Sequence, residues 1–213
     1  MTAYVKSPVA IDSLSHRRLH RHVPSDLSPE WQHVTIRLMQ ACGMTDIIDD
    51  LRWHESFVSA ARTALNKQCL LLTDSQMVAC GINRDRLHPK RVISLIGSPE
   101  AYRLAETHKT TRAAALVDVW QQQYPWHNQL IAIGNAPTCL FRLLDVLAES
   151  PPQHDPAAII AFPVGFVGAA RAKQQLHDTL GTRIPYLTLL GTRGGSALTV
   201  ATIHALLSLS ASS

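Results

Sequence analysis

Five short apolar runs recur along the chain, and stretches with helical spacing separate them. The runs are Cys69 to Thr73, Val92 to Ile96, Leu130 to Ile133, Ala158 to Phe162 and Tyr186 to Leu190. Helical stretches fall near Pro99 to Gln122, Pro137 to Ala148, Gly168 to Leu180 and Ser196 to Leu209. Runs this short and continuous suit strands buried on both faces, and the intervening helices supply right-handed crossovers. The pattern predicts an α/β fold with a mostly parallel sheet flanked by helices on both faces. Two more helices precede it. Ser28-Pro29-Glu30 reads as an N-cap with proline at the first helical position, and Gly43 fits the end of a helix over 29–42. Ser56 to Leu65 forms the other.

A chain of 213 residues, 46% hydrophobic and 17% charged, suits a single domain over 1–213, with loose ends expected at 1–10 and 210–213. No run of about 18 apolar residues occurs and the start carries no apolar signal block, so no membrane span is expected and the cytoplasm is the expected location. Cys42, Cys69, Cys80 and Cys139 are far apart and form no C-x-x-C pair, which reads as reduced thiols. A net charge of +4 favours an anionic partner. The basic run His16 to His22 suggests a metal site at His16 and His20 or a nucleic-acid patch, but there is no third ligand and no interleaved aromatic residue. A solvated helix face is the simpler reading, so neither metal nor nucleic acid is expected.

Three of the later runs end in turns that open directly into a helix: Gly134 to Thr138, Pro163 to Gly168, and Gly191 to Ser196. In open α/β sheets, ligands bind beyond the carboxyl ends of the strands, and glycines there let backbone N–H groups approach an anion. Three such turns in succession point to a shared anionic ligand. Neither a G-x-x-x-x-G-K-[ST] loop nor an early G-x-G-x-x-G occurs, so no nucleotide cofactor is indicated. A G-x-S-x-G elbow and an H-E-x-x-H pair are also missing.

These turns resemble, in order and spacing, the signatures of the precorrin-8X methylmutase family: Gly134-Asn135-Ala136-Pro137-Thr138, Pro163 to Ala170, and Gly191-x-x-Gly194-Gly195-Ser196. Ala41-Cys42-Gly43-Met44, Met77-Val78-Ala79 and Thr111-Arg112-Ala113-Ala114 also match, and the resemblance runs from about Ile11 to Leu207. It implies a homodimeric isomerase of corrin-ring biosynthesis. The substrate would be precorrin-8X or cobalt-precorrin-8, a methyl group would move between neighbouring ring carbons, and hydrogenobyrinic acid or its cobalt form would result, with no cofactor. It also implies substrate contacts from Ser15, Thr111, Arg112, Asn135, Thr138, Gly165, Gly194, Gly195 and Ser196, with Ser15 on a segment that reaches the neighbouring subunit.

The resemblance places Gln40 where the family carries the histidine that protonates the macrocycle. A carboxamide donates a hydrogen bond but has no ionisable proton near neutral pH. Cys80, Arg171 and Thr192 depart from the family pattern as well. Two readings follow. One keeps the isomerase reaction, with the proton supplied by water, the substrate's own carboxyl groups or His54. The alternative is a catalytically impaired homologue that binds, carries or senses a corrinoid.

Overall fold

The computed structural model describes residues 4–83, 85, 87 and 91–210. Its strands are β1 (Leu51–Trp53), β2 (Leu71–Thr73), β3 (Val92–Ile93), β4 (Leu130–Ile133), β5 (Ala158–Ala161) and β6 (Tyr186–Leu189). They form one sheet in the order β1-β6-β5-β4-β2-β3, parallel throughout except for β1, which runs antiparallel beside β6. The helices are α1 (Pro8–His20), α2 (Pro29–Cys42), α3 (Phe57–Asn66), α4 (Gln76–Gly81), α5 (Pro99–Thr107), α6 (Arg112–Gln123), α7 (Pro137–Glu149), α8 (Ala169–Gln175) and α9 (Ser196–Ser210).

Residues of the central strands alternate between two cores. Leu130, Ala132, Ile160 and Leu187 pack against α2, α3, α4 and α9, whereas Ile131, Ile133, Ile159 and Tyr186 pack against α6, α7 and α8. Every residue of β4, β5 and β6 is buried, which is why those segments read as unbroken apolar runs. α5 lies outside α6, joined to it by Ala101, Leu104, Ala115 and Val119.

The chain steps from β2 outward to β3, then crosses back to β4 and continues the opposite way to β5 and β6. After β2, α4 packs against α9 on one face; after β4, α7 packs against α6 on the other. The carboxyl ends of β2 and β4 therefore form a topological switch point, the place where open α/β sheets leave a crevice.

The expected helix over 29–42 is present. Ser28 Oγ accepts from the Trp31 N–H, and Gly43 closes the helix at φ 70°. The segment Pro99 to Gln122 is two helices rather than one. Lys109 adopts φ 49°, and Thr111 Oγ1 then caps α6 by accepting from the Ala114 N–H. The run at Val92 pairs over only two residues, and the helix after Gly168 changes to a π-turn over Leu176–Leu180. β1 was not foreseen. α1 begins at Pro8, capped by Ser7 Oγ, inside a stretch expected to be loose; the expectations for 1–3 and 211–213 lie outside the described residues. α1 buries no residue fully, in keeping with a solvated helix, and no cluster of three metal-ligating side chains occurs among the described residues.

Candidate functional site

At the switch point, β2 delivers Asp74 and Ser75 beneath the turn that follows β4. Asp74 is 1% exposed. Its Oδ1 accepts from the Gly134 N–H at 2.9 Å, and its Oδ2 from the Asn135 and Ala136 N–H groups at 2.9 and 2.8 Å. Burial pushes this carboxyl above the ordinary value of 3.8, and the three N–H donors pull it back. The turn can come this close because residue 134 is glycine: a Cβ there would lie 2.6 Å from Val78 Cγ2 and 2.8 Å from Thr199 Oγ1.

Backbone hydrogen bonds tie the three turns together. The Val164 N–H donates to Asn135 O, the Gly165 N–H to Thr192 O, and the Gly195 N–H to Phe162 O. The expectation that these turns offer their N–H groups to a ligand is therefore corrected at Gly134, Asn135, Ala136, Val164, Gly165 and Gly195. Those donors serve protein acceptors, and the turns form a braced rim. Polar side chains on the rim remain. Thr111 Oγ1 donates to Thr138 Oγ1 at 2.7 Å, joining the starts of α6 and α7. Arg112 donates to Tyr102 Oη at 2.6 Å and lies 4.7 Å from that ring's centroid. Ser196 Oγ is 3.5 Å from Ser75 Oγ.

Lys173 supports the third turn from below. It is fully buried, and its Nζ donates to Arg193 O at 2.5 Å, while the Arg193 guanidinium bridges Asp46 and Asp50 at 2.7 Å each. Burial lowers the Lys173 ammonium from 10.5 to about 8. The unfolded chain restores the higher value, so it binds more protons than the folded state between about 8 and 10.5, and this lysine's contribution to stability rises with pH through that window. Urea midpoints measured from pH 7 upward should show this rise in wild type relative to Lys173→Met. Parallel profiles would contradict the assignment.

Ser15 and Gln40 lie elsewhere. They share a cavity of about 590 Å³ between α1 and α2 with Asp12, Arg18, Met39 and Gly43, and no strand-end residue lines it. His54, the expected alternative acid, does not reach this cavity. Its N–H donates to Tyr186 O at the amino end of β6, and its Nδ1 accepts from the Ser56 N–H beside the start of α3. The antiparallel course of β1 sends it to the amino ends of the parallel strands. Cys80 is exposed and lines a separate cavity of about 200 Å³ with Gln76 and Ser94. Arg171 lies 5.7 Å from the centroid of the Phe141 ring.

Sequence reading missed Asp74, Ser75 and Lys173. An Asp-Ser pair directly after an apolar run was a usable signal for the first two. Nothing local marks Lys173, whose partner is set by tertiary packing.

An open α/β sheet with a braced polar rim at its switch point defines a ligand-binding domain of the doubly wound class. The chain matches the precorrin-8X methylmutase family over residues 10–209 and belongs to that family. It is 40% identical over 186 residues to the precorrin-8X methylmutase of Pseudomonas aeruginosa, covering 86% of this chain and 85% of that protein. It is 34% identical over 186 residues to the cobalt-precorrin-8 methylmutase of Methanothermobacter thermautotrophicus, covering 87% and 84%. The crystal structure of the precorrin-8X methylmutase of Thermus thermophilus superposes with a TM-score of 0.84 at 31% identity, covering 96% of this chain and 97% of that one.

Proposed function

We infer that the protein is an isomerase that moves a methyl group between adjacent ring carbons of precorrin-8X or cobalt-precorrin-8, giving hydrogenobyrinic acid or its cobalt form. The observation that carries this reading is the family's fold and motifs, held over nearly the whole chain, around a rim of hydroxyls, an amide and Arg112. Such groups suit a macrocycle fringed with carboxylates, because arginine and hydroxyl donors pair well with carboxylate oxygens. Asn135, Thr138, Thr111, Arg112 and Ser196 take the carboxylates in this reading, and Gly165, Gly194 and Gly195 give the rim its shape. Substrate and product have the same atoms, so the reaction consumes no co-substrate. The proton that assists migration comes from water or a substrate carboxyl group, since Gln40 cannot ionise near neutral pH.

The cavity at Ser15 and Gln40 contains no strand-end residue, and this favours a homodimer in which the α1–α2 region of one subunit faces the rim of its partner. The same reading places the protein in the cytoplasm. Light scattering should give twice the chain mass of 23.4 kDa. A monomer that binds corrinoid tightly would remove the two-subunit site.

The test of the activity is incubation with precorrin-8X, followed by visible absorbance and chromatography. Slow, enzyme-dependent formation of hydrogenobyrinic acid is expected. Product binding without any turnover would instead support a corrinoid carrier, with Gln40 as the changed residue.

A further inference from the structure

Gln40 sits one helical turn beyond Arg37 on α2, and Arg37 Nη1 donates to Gln40 Oε1 at 3.1 Å. The same Nη1 reaches Asp12 Oδ1 on α1 at 3.4 Å, so Arg37 ties the helix that carries Ser15 to the one that carries Gln40. A guanidinium has donors only, and it can be met only by the oxygen of a carboxamide. The planar amide is then fixed in one of its two orientations. Its nitrogen faces away from Arg37, and among the described residues no group accepts from Gln40 Nε2. Gln40 lines the α1–α2 cavity, whereas Arg37 does not.

We propose that Arg37 is a positioning residue for ligand binding: by holding the carboxamide oxygen of Gln40, it turns the amide N–H₂ of Gln40 into the cavity as a donor to a corrinoid carboxylate. The proposal rests on the reading that this cavity receives part of the corrinoid. A hydrogen bond to a cationic donor also polarises the amide and makes its N–H₂ a stronger donor. In this chain a permanent cation and a neutral amide together supply a directed donor, although they cannot transfer a proton. Glutamate at position 40 would keep the contact with Arg37 but present only acceptors, and an alanine would present nothing.

A double-mutant cycle on binding of hydrogenobyrinic acid tests this, because coupled residues are non-additive. Gln40→Ala and Arg37→Met should each weaken the Kd by about tenfold, and the double variant should be no weaker than either single one. Gln40→Glu should weaken it at least as much. Arg37→Lys, which keeps one donor for the oxygen, should recover affinity to within about threefold of wild type. Thermal unfolding checks that each variant is folded. A further loss when Arg37→Met is added to Gln40→Ala would show that Arg37 acts on the ligand or on α1 directly, and would overturn the proposal. So would unchanged affinity in Arg37→Met while Gln40→Ala is weakened. If Gln40→Ala itself binds as tightly as wild type, the cavity is not part of the corrinoid site, and the underlying reading fails along with the proposal.

Discussion

Replacing Asp74 by alanine is expected to destabilise the fold by about 3 kcal/mol or more, because a buried side chain is removed and three backbone N–H groups lose their carboxylate acceptor, that of Gly134 buried and those of Asn135 and Ala136 partly so. Each such orphaned donor typically costs about 1–3 kcal/mol, and loss of the charged carboxylate relieves only part of that. For a domain of this size, 1 kcal/mol corresponds to roughly 2–4 °C in Tm, so a fall on the order of 10 °C is expected. Asp74→Asn should lose a comparable amount. One oxygen becomes an N–H₂ that faces the Asn135 and Ala136 N–H groups, or else the Gly134 N–H if the amide is turned over. Ligand affinity should fall as well, since the turn that Asp74 holds carries Asn135 and Thr138. Urea unfolding of the three proteins at one pH decides the matter, and a change below about 1 kcal/mol would show that the turn finds other acceptors.

The second large effect is expected at Gln40. In the reading proposed above, residue 40 is the place from which an ionisable group would protonate the macrocycle, so Gln40→His should raise methylmutase turnover by about 10²-fold or more. Its neighbour sets the pH at which this appears. Burial and then the charge of Arg37 already hold the His33 imidazole below its ordinary value of 6.5. A residue-40 imidazole meets the same guanidinium, which disfavours its protonated form. The gain should therefore increase as the assay moves from about pH 8 towards pH 6. Equal turnover in both proteins would mean that the proton arrives by another route and that residue 40 only binds.

Much of the fold was legible because local chemistry and tertiary structure agree. Ser28-Pro29 and Gly43 bracket α2 as their capping preferences require, and unbroken apolar runs at β4, β5 and β6 follow from burial on both faces. β1 was not legible. It is three residues long at the sheet edge, and its pairing with β6 spans well over a hundred residues. The break between α5 and α6 was hidden as well, because neither glycine nor proline marks it; Lys109 takes the positive φ instead. The three motif turns do come together at the carboxyl ends of the strands, but the motifs did not show what those turns do with their N–H groups. Asp74 meets them from sixty residues away, and no local pattern encodes that pairing. His54 shows the same dependence on topology: a titratable residue chosen by type lies at the amino end of β6, because β1 runs antiparallel.

The central claim is that this chain carries a corrinoid site, and titration of the purified protein with hydrogenobyrinic acid tests it most directly. Visible absorbance should shift and saturate at one ligand per chain at micromolar concentrations, and the pigment should co-elute with the protein. Arg112→Ala, which removes one cation of the rim, should weaken that binding by about tenfold or more. An unchanged spectrum with no co-elution, from protein that is folded by circular dichroism, would contradict the account and leave the chain sharing only the family's fold.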